Sequence, residues 1–196
     1  MKKKFNNIIL TGFRATGKST VGRILASRLG YRFIDTDSEI CRQLGATIAE
    51  IVAQHGWPYF RQAEARLLRE LCSSVNMIIA TGGGAIEHRG EWEQLRQIGF
   101  VAWLDADADT INKRIASDPV SASQRPELST KKKSVRDETA MLLQHRRPLY
   151  ATGSDLRLDT VLDTPENLAA KLHETIRNLS GKSAAGTNEA EGGPLQ

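Results

Sequence analysis

Residues Gly12–Ser19 read G-F-R-A-T-G-K-S and decide the fold, because they match the phosphate-binding pattern G-x-x-x-x-G-K-[ST]. A short apolar run, Ile8–Leu10, precedes this phosphate loop, and apolar residues at helical spacing follow Lys18. A strand, a glycine-containing loop and a helix in this order are the context that the motif requires. The sequence therefore predicts a nucleoside triphosphate site, with Lys18 on the β- and γ-phosphates and the Ser19 hydroxyl on Mg²⁺.

The motif leaves open what happens to the nucleotide. A GTPase switch needs the guanine-reading string N-K-x-D, whereas Asn112–Ile115 reads N-K-R-I and lacks the acid. A nucleotide kinase, a small-metabolite kinase and a non-catalytic ATP-binding module all remain compatible with the loop.

Strands alternate with helices along the rest of the chain, which predicts an α/β fold with a parallel sheet covered on both faces. Helices are expected from Thr47 to Gly56 and from Pro58 to Leu71. A further helix is marked by Trp92, Leu95 and Ile98 and capped by Gly99, and another spans Val135–Arg147 and ends before Pro148. The remaining predicted strands are Tyr31–Ile34, Met77–Ala80, Phe100–Leu104 and Leu156–Leu158.

Length and composition favour one domain in a chain of 196 residues. The net charge is only +4 and aromatic residues make up 6%, so a nucleic-acid partner is not expected. Apolar runs are too short for a membrane span and no signal peptide is recognisable, which predicts a cytoplasmic protein. Cys41 and Cys72 have neither disulfide-framework nor metal-ligand spacing. We expect a folded domain over 1–180 and a disordered polar tail over 181–196.

Three groups of residues are expected at the carboxyl edge of the sheet, where α/β proteins bind ligands. Asp35-Thr36-Asp37 follows the second strand, and its carboxylates could serve a metal and an attacking hydroxyl, or Asp37 or Ser38 could merely cap the next helix. Gly82-Gly83-Gly84 follows the third strand and could admit a ligand to the backbone or form a flexible turn. The third group consists of arginines that could bind carboxylate or phosphate, namely Arg61, Arg125 and Arg146.

Taken together, these motifs resemble the shikimate kinase family. The shared strings are G-x-x-x-x-G-K-S-T, D-T-D-S-E-I, F-R-x-x-E, G-G-G, R-P and R-R-P-L-Y, in this order, over about Ile8 to Tyr150. The resemblance implies an ATP-dependent, Mg²⁺-requiring enzyme that phosphorylates the 3-hydroxyl of shikimate. It also implies a three-layer α/β/α fold with a five-stranded parallel sheet in the order 2-3-1-4-5.

The resemblance further implies roles for individual residues. Asp37 would bind the shikimate hydroxyls and act in catalysis with Lys18 and Arg125, and Asp35 would act through water on the Mg²⁺ held by Ser19. The shikimate carboxylate would meet Arg61 and Arg146, with the backbone of Gly83 and Gly84 nearby. The implied ATP-binding residues are Gly12, Ala15, Thr16, Gly17, Lys18, Ser19, Thr20, Arg114 and Arg125.

The same resemblance implies a substrate-binding helical region at about 37–64 and a mobile lid at about 117–133. The small-molecule partners would be shikimate and ATP, with no nucleic acid or membrane, and the protein would be a monomer. Ala15 departs from the family's usual glycine, which predicts a slightly stiffer loop, and Glu127 stands where leucine is common. The alternatives are a kinase of another small polyol acid, such as gluconate, and the non-catalytic ATP-binding module.

Overall fold

The structure is a computed structural model, which describes residues 6–118 and 135–184. Within these ranges a sheet of five parallel strands has helices on both faces. The elements in chain order are β1 (Asn7–Thr11), α1 (Lys18–Leu29), β2 (Arg32–Asp35), α2 (Thr36–Leu44), α3 (Ile48–Leu71), β3 (Met77–Ala80), the 3₁₀ turn Ala85–Glu87, α4 (Arg89–Ile98), β4 (Gly99–Asp105), α5 (Ala108–Ala116), α6 (Val135–Gly153), β5 (Leu156–Asp159) and α7 (Pro165–Ala184).

The strand order is β2-β3-β1-β4-β5, so the predicted fold class and order 2-3-1-4-5 are confirmed. β1 is central and pairs with β3 and β4, Ile8 lying opposite Ile78 and Phe100. Every residue of β1 is buried, since both faces of the sheet are covered. Ile9 packs into a core with α2, α3, α4 and α6, whereas Ile8 and Leu10 pack with α1 and α7.

Parallel pairing brings the carboxyl ends of the strands to one edge of the sheet. The phosphate loop follows β1 there, Asp35 ends β2, and Gly82-Gly83-Gly84 comes just after β3. Asp105 ends β4 at the same edge and is buried. The topology alone thus gathers the phosphate loop and two of the three predicted groups, those at Asp35 and at Gly82, on one side of the molecule.

The predicted end of the helix at Arg147 is wrong, because α6 continues through Pro148 to Gly153. Loss of one backbone donor and a steric clash at an internal proline cost about 3 kcal/mol. Tertiary packing offsets this cost: the fully buried Tyr150 ring stacks on Trp103 at 5.7 Å between ring centroids. The Trp92 indole N–H also donates to the Gly153 carbonyl at 3.1 Å.

Two glycines set helix boundaries in different ways. Gly56 interrupts α3 with φ 79° and ψ 166°, which agrees with the prediction of one helix before it and another after Pro58. Gly99 is the C-cap of α4, as predicted, but it is extended, at φ −148°, and also begins β4, so the helix ends there without a left-handed glycine. A Cβ atom at Gly99 would lie 2.7 Å from the Ile9 side chain, which explains why glycine stands there.

At its far end, α7 runs to Ala184, four residues past the predicted limit of the folded domain at 180. The rest of the predicted tail, 185–196, lies outside the described residues. Across the described ranges, no helix is both long and apolar enough to cross a membrane.

Candidate active site

The phosphate loop is shaped by backbone conformations that few side chains tolerate. Gly12 has φ 136°, and a Cβ atom there would lie 2.2 Å from the Leu104 carbonyl oxygen. Gly17 has φ 89° and precedes α1. Ala15 also has a positive φ, 61°, which costs an L-residue about 1–2 kcal/mol. The departure at Ala15 therefore puts a residue with a Cβ atom in the left-handed region, where glycine carries no such cost.

Lys18 is buried at the start of α1 and supports the loop from inside. Its ammonium group donates to the carbonyls of Gly12 at 2.8 Å and Phe13 at 2.7 Å. The Thr16 hydroxyl donates to the same Phe13 carbonyl at 2.8 Å. The loop thus has an internal hydrogen-bond network, and it presents a cation at the positive end of α1.

Asp35 and Ser19 meet beside the phosphate loop. The Ser19 hydroxyl donates to Asp35 Oδ2 at 2.5 Å, and Asp35 Oδ1 accepts from the backbone N–H of Ser38 at 3.2 Å. Asp35 is therefore the N-cap of α2, and Asp37 lies in the first helical turn. The alternative in which Asp37 or Ser38 caps this helix is wrong, because the cap lies two residues before Asp37.

Ser19 and Asp35 also fit a Mg²⁺ ion. Mg²⁺ keeps several waters and takes few protein oxygens when it binds with a nucleotide. One hydroxyl beside one carboxylate supplies such a set, and the described residues contain no cluster of three or more His, Cys, Asp or Glu that would form a protein-only cage. The donor set is thus consistent with a metal shared with phosphates.

A second cavity opens next to the loop, and we call it the acid cavity. Side chains from the phosphate loop, α2, both halves of α3 and α6, together with the backbone of the loop after β3, line it. The lining residues are Phe13, Arg14, Asp37, Ile48, Trp57, Phe60, Arg61, Glu64, Gly83, Gly84 and Arg146. The structure therefore brings together all five predicted shikimate-binding residues from four separate segments.

Arg61 is held in the acid cavity by a buried carboxylate. Its Nη1 donates to Glu64 Oε2 at 2.5 Å, and His88 Nε2 lies 2.8 Å from the same oxygen. Burial raises the pKa of Glu64, but the His88 hydrogen bond and the Arg61 charge outweigh burial and hold this pKa below its ordinary value. The Arg61 guanidinium also lies 5.4 Å from the Trp57 ring centroid, within cation–π range.

Arg146, on α6, is also held by a glutamate. Its Nη2 donates to Glu87 Oε2 at 2.8 Å, and only 5% of the residue is exposed. His145 Nε2 lies 3.6 Å from the other Glu87 oxygen. Both arginines thus reach the cavity with a glutamate fixing the guanidinium.

The three glycines after β3 make room for three different groups. A Cβ atom at Gly82 would lie 2.5 Å from Asp37 Oδ1, and one at Gly84 would lie 2.2 Å from Arg61 Nη1. At Gly83 it would meet the phosphate loop, 3.4 Å from the backbone N of Arg14. This loop is therefore a site of close approach, which resolves the alternative of a merely flexible turn.

Tyr150 helps to hold the Gly82–Gly84 loop in place. Its hydroxyl donates to the Gly83 carbonyl at 2.6 Å. Burial raises the pKa of Tyr150, so the hydroxyl is protonated at neutral pH and can donate this hydrogen bond.

The remaining predicted residues lie apart from the acid cavity. Arg114 donates to the Ala15 carbonyl at 3.3 Å and to the Thr160 carbonyl at 2.5 Å, beside the phosphate loop. Thr20 is exposed in the first turn of α1. Arg125 and most of the predicted lid fall outside the described residues.

Sequence reasoning assigned no role to several residues of the site. Glu64 had a signal, because it stands three residues after Arg61 on a helix, where opposite charges pair. Trp57 stands four residues before Arg61 and carried a similar signal. Glu87 had none, because its position depends on contacts between distant segments, and Arg14 had none, because the phosphate-loop motif accepts any residue at its position.

Comparison with known proteins agrees with this geometry. The family model described as shikimate kinase matches residues 14–177. The shikimate kinase of Oleidesulfovibrio alaskensis is 43% identical over 173 residues, covering 88% of this chain and 96% of that protein. The shikimate kinase of Syntrophus aciditrophicus is 39% identical over 160 residues, covering 79% and 82%.

A solved structure is similar over nearly its whole length. The shikimate kinase from Acinetobacter baumannii in complex with shikimate superimposes with a TM-score of 0.81 at 36% identity. The match covers 92% of this chain and 96% of that one.

Proposed function

This chain belongs to the shikimate kinase family and is an enzyme with that family's activity, and we propose that its acid cavity binds shikimate while its phosphate loop binds ATP. Shikimate has one carboxylate and three hydroxyls, so it needs cations and a hydrogen-bond acceptor. Arg61 and Arg146 supply guanidinium groups for the carboxylate, and Asp37 supplies the acceptor for hydroxyls. Gly83 and Gly84 have no side chains, so they leave room for the substrate beside Asp37 and the two arginines.

The observation that carries this proposal is the contact between the two cavities. The phosphate-loop cavity is lined by Arg14, Ala15, Gly17, Lys18, Ser19, Thr20, Asp35, Asp37, Thr81, Gly83 and Asp118. It shares Asp37 with the lining of the acid cavity. A carboxylate at this boundary can hold a hydroxyl of one substrate next to the terminal phosphate of the other. Positioning of this kind is the main requirement for phosphoryl transfer.

Chemically, the transfer exchanges one P–O bond for another. The oxygen of the 3-hydroxyl bonds to the γ-phosphorus, the bond from that phosphorus to the β–γ bridging oxygen breaks, and the hydroxyl proton passes to Asp37. Lys18 turns from the loop carbonyls of Gly12 and Phe13 toward the phosphates. Its charge then neutralises negative charge that develops on the phosphoryl oxygens.

We assign the Mg²⁺ site to Ser19 directly and to Asp35 through water. When bound, the ion would supply positive charge that offsets the negative charge of the phosphates. Asp35 would orient the metal's waters through the same carboxylate that now accepts from Ser19.

We also retain the assignments that rest on the resemblance alone. Arg114 would lie against adenine and Arg125 would close on the phosphates from a lid at about 117–133. The substrate-binding helical region would span about 37–64 in a single kinase domain. The enzyme would act as a monomer in the cytoplasm.

The test is ADP release in the presence of shikimate, gluconate and nucleoside monophosphates, measured in separate reactions. We expect release with shikimate and background rates with the others. Asp37→Asn and Arg61→Ala should abolish shikimate turnover, while calorimetry still detects ATP binding.

Arg66→Ala is the matched control, because Arg66 is exposed on the same helix and pairs with Glu70 at 3.8 Å. It should behave as the wild type. Normal turnover by both site variants, or a preference for gluconate, would contradict the proposed substrate site.

A further inference from the structure

Three of the described residues line both cavities: Arg14, Asp37 and Gly83. They mark the boundary that a phosphoryl group crosses when it passes from one substrate to the other. Gly83 contributes backbone and Asp37 an anion, so Arg14 is the cation of this shared lining. It occupies the third position of the phosphate loop.

The other cations are confined to one side of this boundary. Lys18 lines the phosphate-loop cavity and not the acid cavity, and the reverse holds for Arg61 and Arg146. Arg61 and Arg146 also pair with the carboxylates of Glu64 and Glu87. Their placement suits binding of a carboxylate, whereas the placement of Arg14 suits contact with the phosphoryl group while it is transferred.

Arg14 is held at the boundary by its backbone. The preceding residue, Phe13, is only 1% exposed, and the following residue, Ala15, has the positive φ that turns the loop. The backbone N of Arg14 packs against Gly83. The Arg14 side chain is half-buried, and its guanidinium lies 6.0 Å from the Phe13 ring centroid.

We propose that Arg14 is a further catalytic residue, whose guanidinium donates hydrogen bonds to the phosphoryl group during its transfer to the hydroxyl at Asp37. This inference rests on the proposed function. Negative charge spreads over the equatorial phosphoryl oxygens as the group moves, and a fixed guanidinium stabilises it. Arg14 stays protonated throughout, so it adds no proton transfer to the reaction.

The experiment compares the wild type with Arg14→Met, Arg14→Lys and Arg28→Met. Methionine keeps much of the side-chain length without charge, and lysine restores charge without the guanidinium fork. Arg28 is exposed in the last turn of α1 and serves as the control for loss of one arginine. Steady-state kinetics gives kcat and KM for each substrate, and calorimetry gives the affinity for Mg·ADP·aluminium fluoride with shikimate.

We expect Arg14→Met to lower kcat about 10- to 100-fold, because a half-exposed donor stabilises the transition state less than a buried one. Both KM values should change less than about threefold, since contacts made only in the transition state leave them unchanged. Affinity for the aluminium fluoride complex should fall in parallel with kcat. Arg14→Lys should recover part of both losses, and Arg28→Met should match the wild type.

Other outcomes overturn the inference. An increase in the KM for shikimate at unchanged kcat would make Arg14 part of the carboxylate site instead. Unchanged affinity for the aluminium fluoride complex would remove the transition-state role. A wild type that releases no ADP with shikimate overturns both proposals, whereas an active wild type with an equally active Arg14→Met overturns this one alone. If Arg14→Met does not fold, by circular dichroism, Arg14→Lys decides through its kcat and analogue affinity.

Discussion

The phosphate loop and the acid cavity lie side by side but are built by different means. The loop is one continuous segment, Gly12–Ser19, whose shape comes from left-handed backbone and from Lys18 bonded to its own loop. The acid cavity is assembled from five segments, one of them the phosphate loop itself, and Arg61 and Arg146 are positioned by buried or half-buried glutamates. One site is local and depends on the backbone, whereas the other is non-local and depends on side-chain charge.

Because they are built differently, the two sites should be sensitive to different kinds of substitution. A Cβ atom added at Gly12 should damage the loop, because the backbone there leaves no room for one. Substitutions that remove a charge should damage the acid cavity, because an arginine without its carboxylate is free to move. The two kinds of damage should also separate ATP affinity from shikimate affinity.

The largest effect is expected from Gly12→Ala. A Cβ atom would lie 2.2 Å from the Leu104 carbonyl at a φ of 136°, so the loop or β4 must move. We expect a loss of at least about 5 kcal/mol in the free energy of unfolding, together with loss of ATP binding. Chemical denaturation and calorimetric titration of ATP measure the two quantities.

Gly17→Ala is the matched control inside the same loop. Gly17 has a positive φ, but no described atom lies within 4 Å of the added Cβ. We expect it to cost only the backbone strain, about 1–2 kcal/mol. Equal costs at Gly12 and Gly17 would show that steric room at Leu104 does not shape the loop.

The second largest effect is expected from Glu64→Ala, which removes the carboxylate that holds Arg61 in the acid cavity and leaves the phosphate loop unchanged. Glu64 is 1% exposed and serves both Arg61 and His88, so its removal leaves two groups without their shared acceptor. We expect a loss of about 3–5 kcal/mol in unfolding free energy, as for other broken buried pairs. The KM for shikimate should increase and ATP affinity should remain unchanged.

Glu70→Ala controls for losing a glutamate from the same helix. Its side chain is 54% exposed and pairs with Arg66 at 3.8 Å, so we expect a change below about 0.5 kcal/mol. If Glu64→Ala weakened ATP and shikimate binding equally, the two sites would not be built independently.

The same difference explains how much could be predicted from the sequence. The strand–loop–helix unit around Lys18 is contiguous, so its role was readable from the motif and its flanking periodicity. Asp37, Arg61 and Arg146 could be named as candidates at the carboxyl edge of the sheet, but their roles toward shikimate came only from the family resemblance, because no local pattern says that they converge. Glu87 escaped prediction, since tertiary contacts alone place it at the site, and Arg14 escaped because the phosphate-loop motif accepts any residue at its position. The end of α6 was mispredicted for a related reason: packing of Tyr150 outweighed the local preference of Pro148.

A more selective effect is expected from Gly84→Ala. Gly84 has φ −93°, which alanine adopts without strain, but the Cβ atom would lie 2.2 Å from Arg61 Nη1. Because the tip of a long side chain can move, the fold should lose less than about 1 kcal/mol. The displaced guanidinium should raise the KM for shikimate about 10- to 100-fold, equivalent to about 1.4–2.8 kcal/mol.

Gly90→Ala is the control for this substitution. Gly90 lies in the first turn of α4, and no described atom would be within 4 Å of its Cβ. Steady-state kinetics should find wild-type KM values for both substrates. An unchanged KM for shikimate in Gly84→Ala would mean that Arg61 does not hold the substrate carboxylate.

The smallest effect is a change in the pH dependence of stability, which tests whether charge holds the acid cavity together. The pKa of Glu64 is lower in the folded protein than in the unfolded chain, so the unfolded state binds more protons in acid. The stability that Glu64 contributes is therefore complete above the unfolded pKa, about 4.3, and is lost as pH falls through the folded value. Denaturation measured between pH 3 and 6 should show a shallower acid loss in Glu64→Gln than in the wild type, and Glu70→Gln should keep the wild-type slope. Identical slopes in Glu64→Gln and the wild type would mean that hydrogen bonding and packing, which glutamine preserves in part, position Arg61 without the charge.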